Sequence, residues 1–263
     1  MRRAKPTRSP APTRVIAIAC QPRSGSNLLA TALNATGVAG TCDEMLHGHV
    51  LFPRTLQQGH VLAWLQMRLS NGVHRLRTRQ FRGDHWVSRR LVVGHLARYS
   101  RRMMSADGVL AVKQFWGLYR MNMLDHGLDM HHWGVPVVWV RLIRNDRLAQ
   151  AVSEARAQQS SQWRSIDRAV RPVQYDEAAV SRRLATIGEC ERSWDEYFMR
   201  TGESPLVITY EELDRDYEAT MRRILDHVGL EGVPVPPPQL QRQRDALNDE
   251  WMSRYRAAHP DVD

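Results

Sequence analysis

Residues 21–27, QPRSGSN, set small side chains, one glycine and one guanidinium between an apolar run and a run of helical character. A turn of this kind suits anion binding. The unpaired N–H groups of a helix start point at the ligand, and the helix dipole favours negative charge there. Ser24, Gly25 and Ser26 are small enough for the backbone to wrap a phosphate. Gly25 also permits backbone angles that other residues avoid, and Arg23 supplies a fixed charge with a fork of donors. Enzymes that use ATP or GTP want G-x-x-x-x-G-K-[ST] at such a turn, with lysine on the phosphates and a hydroxyl on magnesium. Neither is present, and Asn27 stands where the hydroxyl is expected. The pattern predicts an anion site with no obligatory metal.

The elements that must hold this turn are legible around it. Val15–Cys20 is short, apolar and rich in β-branched residues, which predicts a buried strand. Leu28–Leu33 continues as a helix, with Gly37 as its stop. Further apolar runs at Val109–Val112, Val135–Val140 and Leu206–Tyr210 lead into Lys113, Arg141 and acidic residues respectively. Residues 146–200 are polar and mostly helical in pattern. In Asp216–Val228, Met221, Ile224, Leu225 and Val228 recur at helical spacing before Gly229. VPVPPP, 233–238, breaks regular structure, and 241–256 returns as a loop and short helix. Near-continuous apolar strands separated by helices predict an α/β fold with a mainly parallel sheet covered on both faces.

Composition narrows the class. A chain of 263 residues can bury a substantial core, and its 43% apolar content is ordinary for a globular protein. The net charge of +9 suits an anionic ligand, nucleic acid, or a solvated basic face. Cys20, Cys42 and Cys190 are too few and too scattered for a disulfide framework or zinc site, so a reducing cytoplasm is expected. No apolar run approaches the roughly 18 residues needed to span a bilayer. The opening residues 1–13 are basic and proline-rich and read as a disordered tail. The apolar VIAIAC that follows is too short for the hydrophobic part of a secretory signal. Residues 14–256 are expected as a single domain, with 257–263 as a tail. The adjacent pair His131-His132 is poor geometry for one metal ion. The basic stretches YSRRMM and RLRTRQFR read as solvated faces, and no nucleic-acid-binding signature accompanies them.

PRSGSN-LL after a strand resembles the 5′-phosphosulfate loop of sulfotransferases that use 3′-phosphoadenosine 5′-phosphosulfate (PAPS). Within that group the chain is most similar to the bacterial trehalose sulfotransferase family. RSGSNLLATALNATGVAG with Glu44 close behind, GVLAVKQFW, RNDRLAQAVSEARA, SQWRS, SWDEYF and RQRDALNDEWMSRYR carry the likeness, in order, over most of 14–256. Residues 47–105 match poorly. Pro22 stands where the trehalose pattern has a shorter turn, although sulfotransferase loops in general carry a proline there.

The resemblance implies a P-loop-like three-layer sandwich that moves a sulfonate from PAPS to a hydroxyl, releasing 3′,5′-ADP without a metal. The acceptor it implies is a small molecule: a carbohydrate-like, glycolipid or natural-product hydroxyl. It also implies a homodimer. It assigns Arg23, Ser24, Gly25, Ser26 and Asn27 to the 5′-phosphosulfate. Arg144 and Ser153 match the 3′-phosphate site, with Arg141 and Arg147 competing for the arginine's place and Gln150 for the serine's. Glu44 matches the general base, with Asp43 and His47 as rivals. Lys113, at the carboxyl edge of a strand, either meets the transferring sulfonate, orients the acceptor, or leaves for solvent. Trp163 and Arg164 match a stretch near the substrate loops. Arg242 and Gln243 match one that closes over the nucleotide. Two other classes stay open at this point, a P-loop kinase and a basic nucleic-acid-binding module.

Overall fold

Val15, Ile16, Ala17, Ile18 and Ala19 have no solvent exposure at all in the computed structural model, which describes residues 11–46, 88–161, 172–240 and 246–261. Side chains of a strand point alternately to its two faces, so a run buried throughout is covered on both. That strand is β1 (Arg14–Cys20). With β2 (Asp43–Glu44), β3 (Val109–Phe115), β4 (Val137–Ile143) and β5 (Leu206–Thr209) it forms an all-parallel sheet in the order β2-β3-β1-β4-β5. Among the described residues the helices are α1 (Ser26–Ala35), α2 (Arg89–Met103), α3 (Trp116–Asn122), α4 (Arg147–Ser160), α5 (Glu177–Thr201), α6 (Tyr210–Arg215), α7 (Tyr217–His227) and α8 (Ala246–Ala258). Two short 3-10 turns, Leu124–His126 and Met130–Trp133, precede β4. No helix among the described residues is long and apolar enough to cross a membrane.

The chain clusters into two compact units. The first takes Met1–Ala17 and Gly37–Val138. In it, β2 pairs with β3 so that Asp43 lies opposite Val112 and Glu44 opposite Lys113. The segment entering β2 is set by Gly40, at φ +75°, where an added Cβ would stand 2.4 Å from the Met103 carbonyl oxygen. Only glycine tolerates that approach, and it lets the Thr41 N–H donate to the Met103 carbonyl at 2.6 Å. Helix α2 turns Val92, His95, Leu96 and Tyr99 inward at helical spacing.

The second unit takes Ile18–Thr36 and Trp139–Asp263. Leu29 and Leu33 bury one stripe of α1. Leu148 and Val152 of α4 share a core with Val180 and Ile187 of α5 and with Trp251 and Met252 of α8. Trp139 of β4 packs edge-on against Trp194, Tyr197 and Phe198 of α5. Asp146 caps α4 by accepting from the Ala149 N–H, and Asp176 caps α5 the same way from Ala179. A reciprocal capping box between Thr209 and Glu212 starts α6.

Two boundaries differ from the sequence expectation. Lys113 and Arg141, read as the charged residues that follow β3 and β4, lie inside those strands and are buried. Each is neutralised, Lys113 by Glu44 and Arg141 by Asp195, so the ladder continues past it. The two-residue strand β2 carries no apolar pattern and was not foreseen.

Candidate active site

The turn after β1 is built to present donors. Gly25 is the N-cap of α1 at φ 89°, a left-handed conformation that opens the first turn of the helix outward. It is also a packing glycine, because a Cβ there would stand 2.7 Å from Cδ2 of Tyr210. Ser24 is buried, and its hydroxyl donates to the Gln21 carbonyl at 2.8 Å, closing the turn on itself. Ser26 is buried at the head of α1. The carbonyl of Asn27 accepts from the Thr31 hydroxyl at 2.8 Å. Gln150 of α4 donates its amide to the Pro22 carbonyl at 2.8 Å, tying the turn down from the other side.

Arg23 is one of two non-glycine residues with positive φ among the described residues, at 63°. A side chain held there stores roughly 1–2 kcal/mol of backbone strain, which the surrounding contacts must offset. Its Nε donates to the Ser153 hydroxyl at 2.9 Å. Its carbonyl accepts from Nη1 of Arg144 at 3.3 Å. The Arg144 guanidinium lies 4.8 Å from the centre of the Tyr210 ring, a cation–π contact. Burial, and then the nearby charge of Arg144, lower the pKa of Arg23, while Glu154 opposes them. Two guanidiniums are thus drawn towards one turn at a cost that an anion would relieve. Glu154, buried on α4 and bonded to Arg183 at 3.2 Å, has its carboxyl pKa raised by burial and opposed by Arg183 and Arg23.

The rivals of Arg144 are placed differently. Arg141 pairs with Asp195 and donates through Nη2 to the Glu191 carbonyl at 2.9 Å. Arg147 pairs with the Glu191 carboxylate at 2.7 Å. Of the three arginines, Arg144 is the one bonded to the turn. Ser153, rather than Gln150, is the residue bonded to the Arg23 side chain.

In the first unit, the register that sets Glu44 opposite Lys113 brings Lys113 Nζ to 3.0 Å from Glu44 Oε1. Lys113 is only 3% exposed, so it does not leave the strand for solvent. Asp43, the neighbouring acid, turns its carboxylate back to accept from the Glu44 N–H at 2.8 Å. Two side chains of α2 grip the same short segment. The Tyr99 hydroxyl donates to the Asp43 carbonyl at 3.2 Å, and the His95 ring bonds the Met45 carbonyl through Nε2 at 2.8 Å. Burial pushes the His95 pKa down to about 4, against the opposing effect of that hydrogen bond, so the ring is neutral at pH 7 and its Nε2–H is the donor.

The sequence brings Arg23, Ser24, Gly25, Ser26, Asn27, Arg144 and Ser153 forward, and they lie on the turn, on α4 or, for Arg144, just past the end of β4. His47, Trp163, Arg164, Arg242 and Gln243 lie outside the described residues. Tyr210 and Glu211 were missed. Tyr210 touches both Gly25 and Arg144, and Glu211 bonds the backbone beside Arg144. The T-x-x-E capping pattern at Thr209–Glu212 was the available signal, since it fixes a helix start on those two residues.

The sequence model of the Stf0 sulphotransferases matches residues 15–258. A trehalose 2-sulfotransferase of Mycobacterium tuberculosis (strain ATCC 35801 / TMC 107 / Erdman) is 34% identical over 125 residues, 47% of this chain. The aligned stretch spans about half of that relative's length, 47%. A trehalose 2-sulfotransferase of Mycolicibacterium smegmatis is 26% identical over 260 residues, covering 93% of this chain and 95% of that protein. The sulfotransferase domain of the Synechococcus PCC 7002 olefin synthase aligns over 95% of this chain and 92% of its own, with 20% identity and a TM-score of 0.42. Matched from residue 15 to residue 258, the chain belongs to the Stf0 sulphotransferase family.

Proposed function

We propose that this chain transfers the sulfonate of PAPS to a hydroxyl of a carbohydrate-like acceptor and releases 3′,5′-ADP. The observation that carries the donor is the convergence of Arg23 and Arg144 on one glycine turn at a helix N-terminus, with Ser153 bonded to Arg23. The turn offers N–H groups and the α1 dipole to the 5′-phosphosulfate. Arg144 and Ser153 grip the 3′-phosphate, for which a guanidinium gives geometric as well as electrostatic selectivity. Asn27 holds the place of a magnesium-binding hydroxyl, and the arginines supply the positive charge, so the transfer proceeds without a metal. The acceptor oxygen attacks sulfur, the bond from sulfur to the bridging phosphate oxygen breaks, and the electron pair leaves on 3′,5′-ADP. Charge therefore develops on the 5′-phosphate, where the turn's donors do most to lower the barrier. The acceptor's proton passes to the carboxylate of Glu44. Lys113 holds that carboxylate in place.

The two relatives named trehalose 2-sulfotransferase support a sugar acceptor, and trehalose is the first compound to try. Donor and acceptor are tested separately. 3′,5′-ADP is expected to raise the melting temperature, whereas ATP and an oligonucleotide are not, because only a ligand of the native state stabilises it. Stabilisation by ATP with magnesium alone would favour a kinase. Salt-sensitive binding of the oligonucleotide would favour a nucleic-acid module. Acceptors are then screened with PAPS by the mass gain of sulfation.

A further inference from the structure

Both carboxylate oxygens of Glu211 are engaged beside Arg144, on backbone amides. Oε2 accepts from the Asn145 N–H at 3.1 Å and Oε1 from the Asp146 N–H at 3.2 Å. These are consecutive amides at the exit from β4, just before α4 begins at Arg147. Asp146 is itself the N-cap of α4, accepting from the Ala149 N–H at 2.9 Å. Donors at a helix start have no intrahelical partner, and an anion there is favoured by the helix dipole. Glu211 therefore fixes the backbone that follows Arg144 in one orientation.

The rest of Arg144 is fixed from the same place. Tyr210, adjacent in sequence to Glu211, lies against its guanidinium at 4.8 Å and fills the space that a side chain at position 25 would need. The Thr209–Glu212 capping box locks the start of α6, from which both residues project. An arginine with free rotamers loses entropy whenever it grips a ligand, and one already held loses less. We infer that Glu211 is a positioning residue that sets the preference for a 3′-phosphorylated nucleotide by holding Arg144 ready for it. This inference rests on the donor reading above.

The test compares two ligands on the purified full chain. Binding of 3′,5′-ADP and of 5′-AMP is measured by calorimetry for wild type, Glu211→Gln and Glu211→Asp. The failures are distinguishable, because a wild type that does not bind 3′,5′-ADP overturns the donor reading before Glu211 is touched. Given wild-type binding, Glu211→Gln keeps one acceptor oxygen and loses the other. It is expected to weaken 3′,5′-ADP by roughly tenfold, leave 5′-AMP unchanged, and raise KM for PAPS without changing kcat. Glu211→Asp, which keeps both oxygens, is expected to recover part of the loss. Equal weakening of both nucleotides, or of neither, overturns the role. Should Glu211→Gln not fold, hydrogen exchange on the wild type decides. The Asn145 and Asp146 amides are expected to be protected more by 3′,5′-ADP than by 5′-AMP, and equal protection overturns the role.

Discussion

The turn at residues 21–27 and the segment carrying Glu44 are held in contrasting ways. The turn is fixed redundantly. Ser24 closes it on Gln21, Gln150 bonds Pro22, Arg144 bonds the Arg23 carbonyl, and Ser153 bonds the Arg23 side chain. Glu44 lies on a strand of two residues, and its carboxylate is held by one buried lysine. The flanking carbonyls are held by two side chains of a single helix, Tyr99 and His95. Under the proposed function, redundancy suits a part that must stay unchanged through the reaction while it stabilises charge on the leaving phosphate. In the proposed mechanism Glu44 takes up and releases a proton, which needs a defined position with fewer fixed partners. The contrast predicts that changes at Glu44 act on turnover and changes at the turn act on donor binding.

The largest effect expected from that contrast is at Glu44. Glu44→Gln removes the proposed proton acceptor while retaining an amide oxygen that Lys113 can still reach. General acid–base catalysis is worth about 100- to 10,000-fold, so kcat is expected to fall by that order. Calorimetric affinity for 3′,5′-ADP is expected to stay at the wild-type value. A loss of nucleotide affinity along with turnover would show that the two regions do not separate. Unchanged turnover would move the base to another group, with Asp43 next to be tested.

The sequence made the turn legible because its logic is local. Strand, glycine turn and helix follow within Arg14–Ala35, and Ser153 falls on the helix that begins three residues after Arg144. The Glu44 side was less legible for a physical reason. Lys113 and Glu44 are 69 positions apart, and what joins them is strand register, which a two-residue polar strand does not announce. The sequence sets Arg141 after its strand because a charged residue usually ends an apolar run. Its partners on α5, the Asp195 carboxylate and the Glu191 carbonyl, make a buried guanidinium tolerable inside the strand. Glu211 acts from 66 positions away on backbone amides, a contact that leaves no mark on the types of Asn145 or Asp146.

A smaller effect should separate the regions by pH. Burial lowers the His95 pKa from 6.5 to about 4. The unfolded chain therefore takes up a proton at this site before the folded one does. The stability that goes with a neutral His95 is complete above about pH 6.5 and is lost as pH falls towards about 4. A shift of this size corresponds to about 3 kcal/mol. Urea unfolding at pH 7 and pH 4.5 is expected to show a steeper loss for wild type than for His95→Gln, which keeps an amide donor for the Met45 carbonyl but has no proton to gain. Parallel losses in the two proteins would mean that acid acts elsewhere. Retained 3′,5′-ADP binding at a pH where turnover has already fallen would sharpen the contrast.

The smallest effect concerns how the turn is held. Arg23 stays in the left-handed region at φ 63° although it is not glycine. Ala and Gly at this position both remove the guanidinium, so both are expected to weaken 3′,5′-ADP. They differ in the backbone. Alanine keeps the Cβ that makes left-handed angles costly, whereas glycine does not. Glycine loses more chain entropy on folding, which offsets part of its advantage, and a net difference of about 1 kcal/mol remains. For a chain of this size that corresponds to a melting temperature roughly 2–4 °C higher for Arg23→Gly than for Arg23→Ala. A difference of that sign would mean that the turn carries strain to keep Arg23 in place, and that its redundant hydrogen bonds are there to withstand it. If Arg23→Gly melts below Arg23→Ala, as chain entropy alone would dictate, position 23 carries no strain, and the hydrogen bonds alone fix the turn.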